Sequence, residues 1–178
     1  IIGWPLPLIA IQILWMNLVT DGLPALALGA DPITEGLMQR KPRDPKEYIV
    51  SKNMIFNIII TGLLFAIVTL AIFKFNLANL EKARTIAFST LVLFQLARAY
   101  VVRSDYTKKI FSNKSLTGAV GLSFLLQLLV IYSPLNSIFK TVPLGLLEWI
   151  MIFTATSMMF FVGKVFDKFI RKVTQEYD

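Results

Sequence analysis

The stretch MNLVTDGLPALALGADP, Met16 to Pro32, decides how this chain is read. It belongs to an apolar run from Leu8 to Ala30, and a bilayer crossing needs about 20 mostly apolar residues. One carboxylate, Asp21, interrupts the run. An Asp at the centre of a span costs about 2.5–3.5 kcal/mol on insertion scales, so it marks a functional position. Asn17, Thr20 and Asp21 are spaced i, i+3 and i+4 and share one face of a helix. That face offers an amide, a hydroxyl and a carboxylate, all hard oxygen donors for a cation. Pro24 lacks an N–H, which deprives the Thr20 carbonyl of its helical partner, and Gly22 loosens the backbone beside it. The reading predicts a helix unwound near Asp21–Pro24, with carbonyls free to join the site. Such backbone survives at membrane depth only inside protein or along a cavity. The plainer alternative is a proline kink with Asp21 bonded to its neighbours. The Thr20 hydroxyl fits a bond to its own helix equally well.

Outward from that run, four further spans follow: Met54 to Phe73, Thr85 to Val102, Leu116 to Tyr132 and Leu144 to Val162. The chain is 56% hydrophobic and 16% charged, against about 45–50% and about 25% in soluble domains, and its mean hydropathy is +0.66. The expected fold is all-α, a polytopic transmembrane bundle of five spans. No repeat or separate soluble domain is visible. The long connection is Asp31–Asn53, polar and broken by Pro42 and Pro45. The start, IIGWPLPLIAIQ, has neither an initiator Met nor a basic n-region, so it reads as the interior of a longer protein.

The net charge of +7 fits the membrane rather than nucleic acid, because the basic residues flank the spans. Of the 18, Arg40, Lys41, Arg43, Lys46 and Lys52 fall in the first connection. Arg98, Arg103, Lys108, Lys109 and Lys114 surround the third, and Lys164, Lys168, Arg171 and Lys172 lie in the tail. Lys74, Lys82, Arg84 and Lys140 belong to the opposite side. The bias puts Asp31–Asn53, the Arg103–Lys114 region and the C-terminus in the cytoplasm, with Trp4 and Trp149 in the outer aromatic belt. In the tail, Val165, Phe166, Phe169, Ile170 and Val173 form a weak amphipathic stripe, which fits either a helix on the inner membrane surface or a fraying end.

There is no Cys and no His, which removes thiol chemistry, Cys/His zinc sites and imidazole acid–base catalysis. Among the other polar residues within spans, Gln95 divides evenly between a neutral oxygen for the site and an interhelical hydrogen bond. Arg98 reads as snorkelling to the interface. Asn57, Gln127, Thr154, Thr156 and Ser157 read as packing and hydrogen-bonding residues.

QILWMNLVTDGLPALALGADP (12–32) strongly resembles the sixth transmembrane helix of P-type calcium-transporting ATPases. RKPRDPKEYIVSK (40–52) resembles the cytoplasmic connection that follows it in that family. FSTLVLFQLARAYVVRSD (88–105) is similar to the eighth helix, and TVPLGLLEW (141–149) to the start of the tenth. The resemblance covers essentially residues 1–178 and implies the C-terminal membrane domain of a pump, helices six to ten. It implies Ca2+ as the transported ion, with Asn17, Thr20 and Asp21 among its ligands. The position of Gln95 is Glu in sarcoplasmic-reticulum-type pumps and Gln in plasma-membrane-type pumps, which implies a single ion site here. The phosphorylated Asp of a D-K-T-G-T motif is not in this sequence, so the chain by itself is not expected to hydrolyse ATP. The implied ATP and Mg2+ sites, the remaining helices and the cytoplasmic domains would be partners in the same pump, with the lipid bilayer around it. Two alternatives are a non-enzymatic membrane scaffold descended from a pump, and a pump for Mn2+.

Overall fold

The computed structural model describes residues 3–31, 52–104 and 112–175, with side chains described over 3–31, 54–104 and 112–165. The long connection over 32–51, with Pro42, Pro45 and its basic cluster, therefore lies outside the described residues, as do Lys108, Lys109 and the side chains of Phe166, Phe169, Ile170 and Val173. Every regular element among the described residues is helical. The first span is built in three pieces: α1 (Ala10–Trp15), a π-helical segment (Met16–Asp21) and α2 (Gly22–Gly29). Then come α3 (Lys52–Phe75), α4 (Leu80–Ser104), α5 (Lys114–Tyr132), the one-turn α6 (Asn136–Phe139) and α7 (Leu146–Gln175). Among the described residues, five helices are long and apolar enough to cross a membrane: Ala10–Gly29, Met54–Phe75, Leu80–Ser104, Lys114–Tyr132 and Leu146–Val165. They coincide with the five spans expected from the sequence. The short α6 and the early start of α4 were not foreseen.

α4 is the central post. Buried residues make up 61% of its apolar stretch and 6% of that of α3, so α4 is enclosed by the chain while α3 lies on its outside. Small side chains allow that enclosure: Ala83, Ala87, Ser89 and Thr90 are fully buried and let neighbouring backbones approach. Phe88, Phe94 and Val92 fill the remaining space, and Phe65 of α3 stacks on Phe94 with ring centroids 4.8 Å apart. α7 packs along α4, while α2 packs on α5 and the π segment touches both α4 and α5. The apolar core joins Met16, Ile86, Leu93, Leu96, Ile131 and Ile152 across these helices.

Helix ends are tied by side chains. Asn79 accepts the Lys82 N–H at 3.1 Å ahead of α4, and Asn113 accepts the Leu116 N–H at 2.8 Å at the start of α5. At one end of the bundle the α5–α7 connection is fastened down by hydrogen bonds. The Thr141 hydroxyl donates to the Val130 carbonyl (2.7 Å), the Val142 N–H to Thr85 (3.0 Å) and the Tyr132 hydroxyl to the Leu144 carbonyl (2.6 Å). Lys140 turns the chain there in the left-handed conformation. The same end holds Lys74, Lys82 and Arg84, which the charge count put on one side with Lys140, and Trp4 and Trp149, expected in the aromatic belt there.

Arg98 departs from simple snorkelling: its guanidinium donates to Asn57 of α3 at 2.8 Å. Arg103 and Asp31 form a pair that the sequence reading did not make. Arg103 donates through Nε (2.8 Å) and Nη2 (3.0 Å) to the two carboxylate oxygens of Asp31, and also to the Ser112 hydroxyl (2.8 Å). This bidentate clasp fixes the end of the first span to α4.

Candidate cation site

The first span departs from regular α-helix, but just upstream of the expected place and in a different form. The backbone is not unwound near Asp21–Pro24. Gly22, Leu23 and Pro24 lie inside α2, and Gly22 has ordinary helical angles (φ −63°, ψ −51°). A Cβ built on Gly22 would meet only the Asn17 carbonyl, at an ordinary 3.6 Å, so the glycine supplies no unusual conformation. The irregularity is instead the wide turn Met16–Asp21, which contains Asn17, Thr20 and Asp21. A π turn is a common way for a helix to absorb a misfit at a functional site. The misfit is Pro24, which offers no N–H. Counted in the α register, Thr20 is left without a donor; counted in the π register, Val19 is. The Ser123 hydroxyl of α5 donates to the Val19 carbonyl at 3.1 Å.

The turn divides the expected triplet. Thr20 points inward and is buried, whereas Asn17 and Asp21, four residues apart, lie exposed on the outward flank. The Thr20 Oγ1 lies 2.8 Å from the Met16 carbonyl and 2.8 Å from the Gln95 Oε1 of α4. Both readings of Thr20 thus hold together: it bonds its own helix and meets Gln95. One hydroxyl proton cannot serve two acceptors. A half-turn of the Gln95 amide, which exchanges its oxygen and nitrogen, satisfies both contacts. With the oxygen toward Thr20, the same pair presents two oxygen lone-pair sets to a cation. Below Asp21 the outward flank is an open groove along Leu18, Gly22, Ala25, Leu26 and Gly29, whose small residues leave room for another helix.

No group of three or more Asp, Glu, His or Cys side chains comes together among the described residues. The candidate donors are one carboxylate, two amides and one hydroxyl. Asn17, Thr20 and Asp21 could supply three or four of the about 6–8 oxygens that Ca2+ takes, and Gln95 adds one more. Asp21 and Asn17 sit at membrane depth on an open flank, where a carboxylate requires protein or water opposite.

Sequence reasoning missed how the first span is held. α5 turns three polar side chains toward it. Asn113 donates to the Ala27 carbonyl (3.0 Å), Ser123 to the Val19 carbonyl (3.1 Å), and Gln127 accepts from Trp15 Nε1 (3.2 Å). Gln127 also donates to Ser89 of α4 (3.4 Å), which agrees with its expected packing role. The available signal was Ser123 and Gln127 at i and i+4 in an otherwise apolar span. Gln12 completes the seat by donating to the Phe139 carbonyl (3.0 Å), beside an edge-to-face Trp15–Phe139 contact at 5.0 Å.

The pattern of the family described as "Cation transporting ATPase, C-terminus" matches residues 5–169. A "Calcium-transporting ATPase" of Bacillus subtilis is 44% identical over 160 residues, covering 85% of this chain and 18% of that protein. The "Calcium-transporting ATPase type 2C member 1" of Homo sapiens is 33% identical over 177 residues, covering 94% of this chain and 19% of its own length. The "Calcium-transporting ATPase 1" of Saccharomyces cerevisiae is 34% identical over 182 residues, covering 97% and 19%. This chain thus spans about a fifth of the length of the curated relatives it matches.

Proposed function

Given that this chain belongs to the family of cation-transporting ATPase C-termini, we propose that it forms the transport-side membrane region of an ATP-driven Ca2+ pump. The observation that carries the proposal is the π turn Met16–Asp21. It sets Thr20 against Gln95 inside the bundle and leaves Asn17 and Asp21 on the open flank beside it. These four side chains form part of one cation shell, with a single negative charge from Asp21. The remaining oxygens come from helices elsewhere in the pump, seated along the groove of Gly22, Ala25 and Gly29. ATP and Mg2+ act in its cytoplasmic domains, where phosphorylation alternates the access of the site. The donors are all oxygens, which suits Ca2+, and the matched relatives are named for calcium. Mn2+ shares these donors, but no observation favours it over Ca2+. The C-terminus and the 32–51 connection lie on the cytoplasmic side, in keeping with the distribution of Lys and Arg.

The test is Asp21→Asn in the complete pump, read as Ca2+-dependent phosphorylation from ATP. Loss of that phosphorylation, with Ca2+-free phosphorylation by inorganic phosphate retained, is the expected result. Undiminished Ca2+ dependence would sink the proposal.

A further inference from the structure

We infer that Ser123 of α5 is a positioning residue for the cation site: its hydroxyl takes the place of the backbone donor that Pro24 lacks and so holds the π turn in its ligand-presenting register. The inference rests on the function proposed above and goes beyond its ligand set, because Ser123 contributes no oxygen to the ion.

The case begins with a count of hydrogen bonds. Helical carbonyls upstream of a proline are one donor short, and in hydrocarbon no water makes up the deficit. In the i→i+5 register of Met16–Asp21 the carbonyl facing Pro24 is that of Val19, and in the i→i+4 register of α2 it is that of Thr20, so the change of register just ahead of the proline leaves this pair of neighbouring carbonyls a donor short. The Ser123 hydroxyl is fully buried and lies 3.1 Å from the Val19 carbonyl. Val19 directly precedes Thr20, so the bond fixes the peptide unit from which the Thr20 side chain departs toward Gln95. On either side, Gln127 holds Trp15 just before the π turn and Asn113 holds Ala27 beyond it. α5 thus grips the first span before, within and after the wide turn, and only Ser123 acts inside it. Without its donor, the Val19 carbonyl competes for the remaining N–H groups of α2. The turn is then drawn toward the tighter i→i+4 pattern, which rotates Asn17 relative to Thr20 and Asp21.

The experiment uses the complete pump and two nearly isosteric replacements. The two match each other in size: Ser123→Thr keeps the hydroxyl, and Ser123→Val replaces it with a methyl group, so their difference isolates the hydroxyl. The readout is the Ca2+ concentration for half-maximal phosphorylation from ATP, beside the Ca2+-free phosphorylation level from inorganic phosphate, which reports folding. Ser123→Val is expected to raise the half-maximal Ca2+ concentration about threefold to tenfold, as befits one lost hydrogen bond, while Ser123→Thr stays near the parent. Equal values for the two variants overturn the inference. Pro24→Ala supplies a second arm, because it restores the missing N–H. In that background Ser123→Val is expected to change the half-maximal concentration less than twofold, the coupling that a general packing role would not produce. An undiminished effect in the Pro24→Ala background also overturns it, and this arm decides if Ser123→Val alone proves poorly folded. Asp21→Asn, run alongside, separates the two levels. If it leaves Ca2+ dependence intact, the functional reading fails and takes this inference with it. If Asp21→Asn abolishes the dependence while Thr and Val at 123 behave alike, only the role of Ser123 fails.

Discussion

The Thr20 hydroxyl and the Gln95 side-chain oxygen lie 2.8 Å apart, joining the π turn of the first span to the central helix α4 across 75 residues of sequence. The contact ties the buried Thr20 hydroxyl to the most enclosed helix of the bundle. Gln95 is therefore no longer divided between a site oxygen and an interhelical bond; it makes the bond, and through it reaches the candidate site.

This contact predicts a graded response at Gln95. Gln95→Leu leaves Thr20 with the Met16 carbonyl alone and removes one neutral oxygen. In the complete pump the half-maximal Ca2+ concentration for phosphorylation should rise about threefold to tenfold, the scale of one lost neutral contact. Thr20→Ser, which retains the hydroxyl, should stay near the parent, and Thr20→Val should match or exceed the loss in Gln95→Leu. An unchanged Ca2+ response in Gln95→Leu would remove α4 from the shell.

The Arg103–Asp31 clasp predicts a stability effect remote from the ion. The Arg103 side chain is 3% exposed and that of Asp31 28%, so the pair is buried on one side and wet on the other. Leaving one partner of a fully buried pair alone costs about 3–5 kcal/mol, and partial hydration of Asp31 reduces that to about 1–3 kcal/mol. Arg103→Met should lower the thermal midpoint in detergent accordingly. Adding Asp31→Asn to Arg103→Met should recover part of the loss, because the stranded charge goes with it. Additive losses would mean that the clasp does not act as a pair.

Gln127 predicts a second, smaller coupling. Gln127→Leu strands the Trp15 indole N–H and the Ser89 hydroxyl inside the bundle. The expected cost is about 0.6–2 kcal/mol, the range for hydrogen bonds between membrane helices. A double-mutant cycle with Trp15→Phe checks the assignment: once the indole is gone, Gln127→Leu should cost measurably less.

The orientation can be read by chemistry, since the chain contributes no cysteine. Ser137 in α6 and Lys114 at the start of α5 are exposed at opposite ends of a 19-residue helix about 28 Å long. In a cysteine-free pump, Ser137→Cys should react with an impermeant thiol reagent from the non-cytoplasmic side. Lys114→Cys should react only once the membrane is opened. The reverse pattern would invert the topology.

Apolar length and composition were enough to determine five candidate membrane helices, though not the early start of α4, because a bilayer admits few other backbones. The i, i+3, i+4 spacing of Asn17, Thr20 and Asp21, with Pro24 just beyond, was enough to expect an irregular turn in the first span, which lies at Met16–Asp21 rather than at Asp21–Pro24. What the sequence could not determine was the form of that turn or the partners of its groups. A missing N–H can be absorbed by unwinding, by a kink or by a wider turn, and the choice depends on which donor lies opposite. Here the turn is wide rather than open, and the Ser123 hydroxyl lies 3.1 Å from the Val19 carbonyl within it. Likewise Asp31 and Arg103 looked like separate charges at the edges of two spans, and only helix packing brings them within hydrogen-bond distance. The sequence by itself determined the spans and the chemistry of the candidate ligands, since both are local properties. Tertiary structure alone decided that Thr20 turns inward to Gln95 while Asn17 and Asp21 stay on the open flank, because helix rotation is set by side chains more than 70 residues away in the chain.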